Sequence, residues 1–367
     1  MNMKADRKSQ KIAQRLSFNL QMNYTNSSYE ACTVESQPVS ISVLICLVPM
    51  LGLLLNIFSM WVFKYRTSEW KSGTVLQFHL AISDLLLCPL APFLTVYFAL
   101  GRWLFGSLIC RFMIILLTTH FYGSIYFLTL ISIHRYVSVV YHSQEFRMKQ
   151  KDFVKKLCVG VWVVLLIQGV VCSSLLDTSI VGNRTLCLSI YQEEHTEKYF
   201  VINFALLLPG FLIPFIVSLV CYIRLAKSVS GINLCHHKGR LMKSKSRKMV
   251  AICLLIFGLC FMPINVIRTV LVVLKKINSS EHCHLLSKVE TSYYLSWILS
   301  SANCCLDPLI YCFASQNFMA AFRSSLRKIG VRMQTTDKDV ENDSALTTQV
   351  VPTPRTIKRG NTTTTHF

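Results

Sequence analysis

Residues 108–141, LICRFMIILLTTHFYGSIYFLTLISIHRYVSVVY, decide the fold. Apolar and small residues run almost without interruption from 112 to 133, with Cys110 before them and His134-Arg135-Tyr136 after them. A helix rises about 1.5 Å per residue, so it separates Cys110 from Arg135 by roughly 37 Å, which exceeds a hydrocarbon core of about 30 Å. The cysteine and the arginine therefore lie on opposite faces of a membrane.

The composition of the whole chain is that of a membrane protein. Of its 367 residues, 52% are hydrophobic and 15% are charged, whereas about a quarter of a soluble protein is charged. A net charge of +20 would suggest nucleic acid as the partner of a soluble protein, but here the bases gather in particular loops. The positive-inside rule explains them, and we expect a multi-pass protein that binds membrane lipids and no nucleic acid.

Seven apolar segments follow one another along the chain. They cover residues 39–64, 74–99, 108–140, 156–175, 200–225, 249–274 and 292–313. The odd-numbered connections are basic, and the fifth, from Arg224 to Lys248, holds eight Lys and Arg and no acid. These connections are expected to be cytoplasmic and the N-terminus extracellular. The sequence thus predicts an all-α membrane protein, a seven-transmembrane helix bundle over residues 39–313.

Glycosylation sequons support the same orientation. They are Asn23 and Asn26 in the polar leader 1–38, Asn183 after the fourth segment and Asn278 after the sixth. All four fall on the face that the charge distribution makes extracellular, whereas a fifth at Asn361 lies in the tail. A single sequon is a weak signal because the pattern is short, but four on one predicted face agree with the charges. We expect these four asparagines to be glycosylated.

Beyond the seventh segment, residues 314–330 place Phe318 and Phe322 at helical spacing beside basic residues. This pattern is typical of a short amphipathic helix that lies on the inner membrane surface. The rest of the chain, 331–367, is polar and rich in threonine, and its composition predicts a disordered cytoplasmic tail.

Motifs in all seven segments, taken together, resemble one family, the rhodopsin-like (class A) G-protein-coupled receptors. In chain order they are Gly52-x-x-x-Asn56, Leu80-Ala-Ile-Ser-Asp84, Cys110 with His134-Arg135-Tyr136, Trp162, Pro214 with Tyr222, Phe257 through Pro263, and Asn303 with Asp307-Pro308-Leu-Ile-Tyr311. Within the family, residues 121–136 resemble the branch of purinergic nucleotide receptors, whose relatives include cysteinyl-leukotriene and other lipid-mediator receptors.

The resemblance implies a plasma-membrane receptor that an extracellular ligand activates and that signals through heterotrimeric G proteins, with receptor kinases and arrestin acting on the threonine-rich tail. It implies no enzyme activity, and no catalytic motif occurs in its required context. An orphan receptor with constitutive activity is an alternative. A membrane transporter is a remote one, because internal repeats are not evident.

The resemblance also assigns roles in activation and G-protein coupling. The residues concerned are His134, Arg135, Tyr136, Tyr222, Phe261, Asp307, Pro308 and Tyr311. His134 stands where an acid is commoner, and Lys243 stands near the position of the usual acidic partner of the arginine. The customary ionic restraint on Arg135 is therefore in doubt. Either other contacts hold the resting state, or basal signalling is elevated or sensitive to pH, since histidine titrates near neutrality.

Asp84 lies in the middle of the second segment, where a charge is costly and usually marks an ion or a polar pathway. In the family, the positions of Ser124, Asn303 and Asp307 complete a site for an allosteric sodium ion. The alternative is a buried hydrogen-bond network without sodium. No other cofactor or metal is expected, because the cysteines and histidines lack the spacing of a metal site.

Two disulfides are implied by the resemblance. Cys110 with Cys187 would fix the second extracellular loop over the pocket, and Cys32 with Cys283 would tie the N-terminus to the third loop. An oxidising exterior allows both bridges. Cys172 competes as a partner in the second bridge.

Arg268 is the most informative pocket residue, because a guanidinium in a partly dry cleft is the preferred partner of phosphate or carboxylate. The alternative is an arginine that snorkels to the interface. The other candidate ligand-binding residues are Asn265, Arg111, Leu117, Thr118, Phe121, Tyr122, Tyr294 and Trp297. Ile114 and Trp297 stand where many nucleotide receptors carry further basic residues. A nucleotide or nucleotide-like mediator and an anionic lipid mediator both remain open.

Overall fold

A computed structural model describes residues 38–67, 69–141, 146–189, 192–230, 237–277, 283–314 and 316–328. Its helices form the predicted seven-transmembrane bundle. Six spans have the length and hydropathy needed to cross a membrane. The seventh is built from two consecutive helices that are separated at Ala302.

The elements, in chain order, have these bounds. Spans one, three and four are single helices, Val39–Tyr65, Gly106–Val140 and Lys151–Leu175. Span two is Ser72–Leu85 and Ala91–Leu100 with a 3₁₀ turn, Cys88–Leu90, between them; span five is Thr196–Leu207 and Ile213–Ser230; span six is His237–Ile256 and Met262–Ile277; span seven is Cys283–Ser301 and Asn303–Ala314. A further helix covers Gln316–Lys328, and strands β1 and β2 cover Ser179–Val181 and Arg184–Leu186.

The interruptions in spans five and six are π-helical turns that adjoin prolines. They cover Leu208–Leu212, which contains Pro209, and Phe257–Phe261, which is followed by Pro263. Proline has no N–H to donate, so the preceding turn loses a hydrogen bond and rearranges. Wide turns of this kind are frequent at functional sites.

Spans one and seven approach each other closely near the middle of the bundle. Asn56 Nδ2 donates to the carbonyl of Gly52 at 3.0 Å and to the carbonyl of Cys304 at 2.8 Å. A Cβ on Gly52 would lie 2.1 Å from the Cys304 Sγ, so the position has no room for a side chain. Glycine and asparagine in the first motif therefore join the two spans.

The segment between spans four and five forms a lid over the Cys110 end of the bundle. Strands β1 and β2 pair antiparallel, and Cys187, directly after β2, forms the predicted disulfide with Cys110, which is confirmed. Gln192 is fully buried and donates to the Leu186 carbonyl, while its Oε1 accepts from the backbone N–H of Ser189. Leu188 between them adopts a left-handed backbone conformation.

Several predictions fall on residues that the structure does not describe. These are Asn23, Asn26, Asn278, Cys32, the side chains of Cys283 and Lys243, and the tail from 329 onward. Cys172, the competing partner, is a free cysteine. Asn183 is exposed in the turn between β1 and β2, where a glycan would have room.

The chain divides into two compact units, Met1–Ala321 and Phe322–Phe367. The bundle lies within the first unit. There Phe318 is fully buried against Phe63 and Tyr311, with ring centroids 5.7 Å from each. Of the second unit, the structure describes the end of the last helix, residues 322–328. The predicted helix after span seven is thus present, and its position on a membrane surface stays a prediction.

Candidate ligand cavity and the networks below it

A cavity of about 170 Å³ opens beneath the lid, between spans three to seven. Its lining is mostly apolar and aromatic, with two cationic side chains, those of Arg268 and Lys275. The lining residues are Ile114, Leu117, Thr118, Phe121, Tyr122, Cys172, Leu176, Leu188, Thr196, Tyr199, Ile202, Asn203, Leu206, Ile264, Arg268, Leu271, Val272, Lys275, Tyr293 and Trp297. Concave sites with a few convergent polar groups are the usual form of a small-molecule site.

Arg268 is held at the cavity wall by neutral oxygens. Its Nε donates to Asn203 Oδ1 at 2.9 Å, and one terminal nitrogen donates to Asn265 Oδ1 at 3.0 Å and to the Tyr122 hydroxyl at 3.2 Å. The guanidinium carbon lies 5.7 Å from the centroid of the Phe121 ring. These contacts fix the plane of the guanidinium, so its position does not depend on a ligand.

No carboxylate pairs with Arg268 among the residues that the structure describes. Its second terminal nitrogen makes no hydrogen bond within that part of the chain. A cation taken out of water without an anion is costly, and neutral dipoles compensate it incompletely. The arrangement therefore favours the entry of an anion into the cavity.

Six of the nine side chains predicted to bind ligand line the cavity. They are Arg268, Leu117, Thr118, Phe121, Tyr122 and Trp297. Asn265 lies behind Arg268 and is almost fully buried. Tyr294 lies outside the lining and donates to Glu290 Oε1 at 2.9 Å, while its neighbour Tyr293 faces the cavity.

Arg111 also lies outside the cavity lining. It forms an ion pair of 2.6 Å with Asp177 at the root of the lid, and its side chain is about half exposed. Partial burial alone would raise the pKa of Asp177, but hydrogen bonds from Arg111 and Ser107 outweigh it and lower that pKa to about 2. The pair therefore stays ionised at neutral pH and fastens the lid to the start of span three.

Sequence reasoning did not single out Asn203, Tyr199 or Tyr293 as lining residues, and it placed Lys275 at the rim. Asn203 had a usable signal, since it is an amide inside the apolar run of span five and buried polar groups need partners. Its Nδ2 donates to the Thr269 hydroxyl at 3.1 Å, beside the bond from Arg268 to its Oδ1. One amide thus makes two hydrogen bonds to span six.

Asp84, Ser124, Asn303 and Asp307 come together in the middle of the bundle, and each is almost fully buried. Ser124 Oγ donates to Asp84 Oδ1 at 3.1 Å, and Asn303 Nδ2 donates to Asp307 Oδ2 at 3.2 Å. The other side-chain oxygens of Asp84, Asp307 and Asn303 have no hydrogen-bond partner among the described residues. Two adjoining buried carboxyls need a proton or a cation between them.

At the opposite end of span three, His134 bonds to span two. Its Nε2 lies 2.8 Å from the Ser72 hydroxyl, and a Cβ on Gly73 would lie 3.0 Å from its ring. Arg135 forms no ion pair within the described part of the chain, and its Nε is buried without a hydrogen bond there. The doubt about an ionic restraint on Arg135 therefore extends to every acid that the structure describes.

Aromatic rings connect the cavity to the core of span six. Phe121, beneath Arg268, meets Phe261 edge to face with centroids 5.5 Å apart, and Phe261 lies 6.0 Å from Phe257. The latter two rings belong to the π-helical turn of span six. A displacement of Phe121 by a ligand would thus be felt where span six is least regular.

The two tyrosines predicted to act in activation lie apart from each other's partners. Tyr311 is fully buried, packs on Phe63 at 5.2 Å and has no hydrogen-bond partner for its hydroxyl among the described residues. Tyr222 packs against a small cluster formed by Val139, Leu225 and Val250. A buried hydroxyl without a partner is costly, so Tyr311 would gain by moving toward a polar group.

A family model described as 7 transmembrane receptor (rhodopsin family) matches residues 55–311. Among curated proteins, purinoceptor 2 of Homo sapiens is 34% identical over 281 residues, which are 75% of this chain and 73% of that protein. Lysophosphatidic acid receptor 6 of Gallus gallus is 30% identical and covers 72% of this chain and 87% of that protein. The 2-oxoglutarate receptor 1 of Rattus norvegicus is 29% identical and covers 73% and 78%.

Proposed function

Since the chain belongs to the rhodopsin family of seven-transmembrane receptors, we propose that its cavity binds a small extracellular anion through Arg268. The protein is a multi-pass plasma-membrane receptor that couples to heterotrimeric G proteins, and it is a signalling protein rather than an enzyme. The observation that carries the proposal is a guanidinium oriented by three neutral oxygens and lacking a carboxylate among the described residues.

A nucleotide or nucleotide-like mediator is the first candidate. Purinoceptors are among the similar proteins, and Lys275 adds a second cation to the lining. Arg268 and Lys275 are seven residues apart on one helix, which separates their Cα atoms by about 10 Å along the axis. An extended polyphosphate can reach from one to the other.

An anionic lipid is the second candidate, and the apolar lining favours it. Leu117, Leu176, Leu188 and Leu206 face the cavity together with further aliphatic and aromatic side chains. A ligand with one acidic head and an apolar body would place the head on Arg268 and bury the body against these residues. The similarity to a lysophosphatidic acid receptor points the same way.

Guanine-nucleotide exchange on membranes that carry the full chain tests the proposal. The probes are adenosine triphosphate, lysophosphatidic acid and 2-oxoglutarate, and the variants are Arg268→Gln and, as a matched control outside the cavity, Arg111→Gln. Loss of a charged hydrogen-bond pair at Arg268 should weaken the active probe about 10- to 100-fold, while Arg111→Gln retains its potency. Equal potency in Arg268→Gln and the unmodified receptor would remove Arg268 from the binding role.

Transmission to the G protein follows from the contacts below the cavity. A ligand that pulls Arg268 also moves Phe121, whose ring meets Phe261 in the π-helical turn of span six. Span six then turns about Pro263 and opens the Arg135 end of the bundle. Arg135, Tyr222 and Tyr311 would form their new contacts there, with His134, Tyr136 and the Asp307-Pro308 turn supporting them.

A sodium ion fits the cluster of Asp84, Ser124, Asn303 and Asp307. Its oxygens without hydrogen-bond partners among the described residues are hard ligands of the kind that alkali cations take. Groups of three or more His, Cys, Asp or Glu side chains suited to other metals do not occur in the described part of the chain. A bound sodium ion would neutralise the carboxyls and hold spans two, three and seven together.

The orientation that fits these roles has the lid and the N-terminus outside the cell. Asn183, exposed on the lid, would then be accessible to glycosylation, as would Asn23, Asn26 and Asn278. The threonines of the tail would face receptor kinases and arrestin. Glycosidase treatment of Asn183→Gln receptor at the cell surface checks the orientation, since the variant should lose one glycan.

A further inference from the structure

Asn203 makes a contact that sequence reasoning did not anticipate. It is 3% exposed, lies on span five and accepts the Nε–H of Arg268 on span six. Asn265 and Tyr122, the other two acceptors, engage one terminal nitrogen of the same guanidinium. All three acceptors are neutral, although a carboxylate would bind a guanidinium more strongly.

The orientation of the Asn203 amide is set by its neighbours. The Thr269 hydroxyl donates to the Asn265 carbonyl at 2.7 Å, which leaves its lone pairs to accept the Asn203 Nδ2 at 3.1 Å. The amide oxygen must then face Arg268, which has only donors. This chain of bonds fixes Asn203 and, through it, the guanidinium.

The geometry leaves one edge of Arg268 for the cavity. Its Nε and one terminal nitrogen are engaged, whereas the second terminal nitrogen has no partner among the described residues. A side chain of almost the same shape, aspartate, would fit at position 203 but would neutralise the arginine. The choice of an amide therefore keeps the positive charge available to a ligand.

We propose that Asn203 is a positioning and charge-specificity residue, which aims Arg268 into the cavity and, by being neutral, reserves its charge for the anion of the ligand. The inference rests on the proposed function, because it takes the Arg268 site as the place where the anion binds. It adds that selectivity for anions depends on the absence of a carboxylate from position 203.

The test compares Asn203→Asp, which keeps the shape and adds a charge, with Asn203→Ala, which removes the contact. Each is made in the unmodified full chain and in an Arg268→Gln background. Nucleotide exchange is measured with adenosine triphosphate, lysophosphatidic acid and 2-oxoglutarate, and the melting temperature of the purified receptor is measured without ligand. The melting temperature separates a charge effect from a loss of structure.

Asn203→Asp should weaken the active anion about 10- to 100-fold while the ligand-free receptor melts no lower than the unmodified one. Asn203→Ala should lower the melting temperature. In the Arg268→Gln background, the two substitutions should have equal potency, because the added carboxylate no longer has an arginine to neutralise. A purely structural role would instead lower the melting temperature of both variants.

Unchanged potency in Asn203→Asp overturns the inference, and so does a loss that persists undiminished in the Arg268→Gln background. If Arg268→Gln itself leaves potency unchanged, the proposed function fails instead. If none of the three probes activates the unmodified receptor, the ligand-free melting temperatures decide. The aspartate variant must then melt above the alanine variant in an Arg268-dependent manner, and equal melting temperatures overturn the inference.

Discussion

Replacing Gly210 with alanine should weaken ligand binding from a position outside the cavity lining. Gly210 lies in the π-helical turn of span five, and a Cβ there would be 2.4 Å and 2.8 Å from Cε1 and Cδ1 of Tyr122. Ordinary contact begins at 3.4 Å, so the ring must withdraw by roughly 1 Å. The Tyr122 hydroxyl accepts from Arg268 at 3.2 Å, and such a withdrawal breaks that bond.

The magnitude follows from two separate costs. Overpacking costs about 1–3 kcal/mol of stability. Loss of a hydrogen bond from a charged donor costs about 1.5 kcal/mol, which corresponds to about a tenfold loss of potency for an anion that Arg268 binds. Potency is read from guanine-nucleotide exchange and stability from the melting temperature of the purified receptor.

Gly258→Ala is the matched control. Gly258 lies in the corresponding π-helical turn of span six, but a Cβ there would meet nothing within 4 Å. It should leave potency unchanged and raise stability by about 0.5–1 kcal/mol, because alanine loses less backbone entropy. If Gly210→Ala behaves like this control in both measurements, the packing argument is wrong. If it melts lower but keeps full potency, the bond between Tyr122 and Arg268 is dispensable.

Three other predictions follow from local contacts. Asp177 has its pKa lowered from 3.8 to about 2, so the melting-temperature advantage over Asp177→Asn should be constant from pH 8 to pH 5 and shrink as the pH falls from about 4 to 2. Gly52→Ala should cost about 1–3 kcal/mol of stability, and Cys304→Ala in the same chain should restore it, as melting temperatures will reveal. His134→Ala and Ser72→Ala should each raise ligand-free nucleotide exchange by removing one bond of about 1 kcal/mol, and their effects should not add; additive effects would contradict a shared contact.

The spans could be predicted because the bilayer imposes their length and hydropathy on the sequence. The start of span seven could not, and its helix begins at Cys283 rather than at residue 292. The first turns, which include Lys288 and Glu290, are too polar for a hydropathy pattern to join them to the span. Helix there depends on tertiary contacts, such as the bond between Tyr294 and Glu290, which no local pattern contains.

The facing of single side chains was harder to predict than the position of the spans. Successive helical residues point about 100° apart, so an error of one residue turns a side chain away from the cavity. Tyr293 lines the cavity and Tyr294 does not, although the sequence offers no means to choose between them. Arg111 differs for another reason, because Asp177 on the lid captures it, and that loop contact depends on how the disulfide places the lid.

Two arginines lie toward opposite ends of the bundle, and neither pairs with an acid that the structure describes. Arg268 rests on amide and hydroxyl oxygens, while Arg135 has a buried Nε without a hydrogen-bond partner among the described residues. A buried cation without an anion raises the free energy of the state that contains it. A ligand anion lowers that energy at one end and a G-protein helix can lower it at the other. Because the resting bundle leaves both unsatisfied, the two binding events can favour the same rearrangement, which is the condition for reciprocal coupling between the sites.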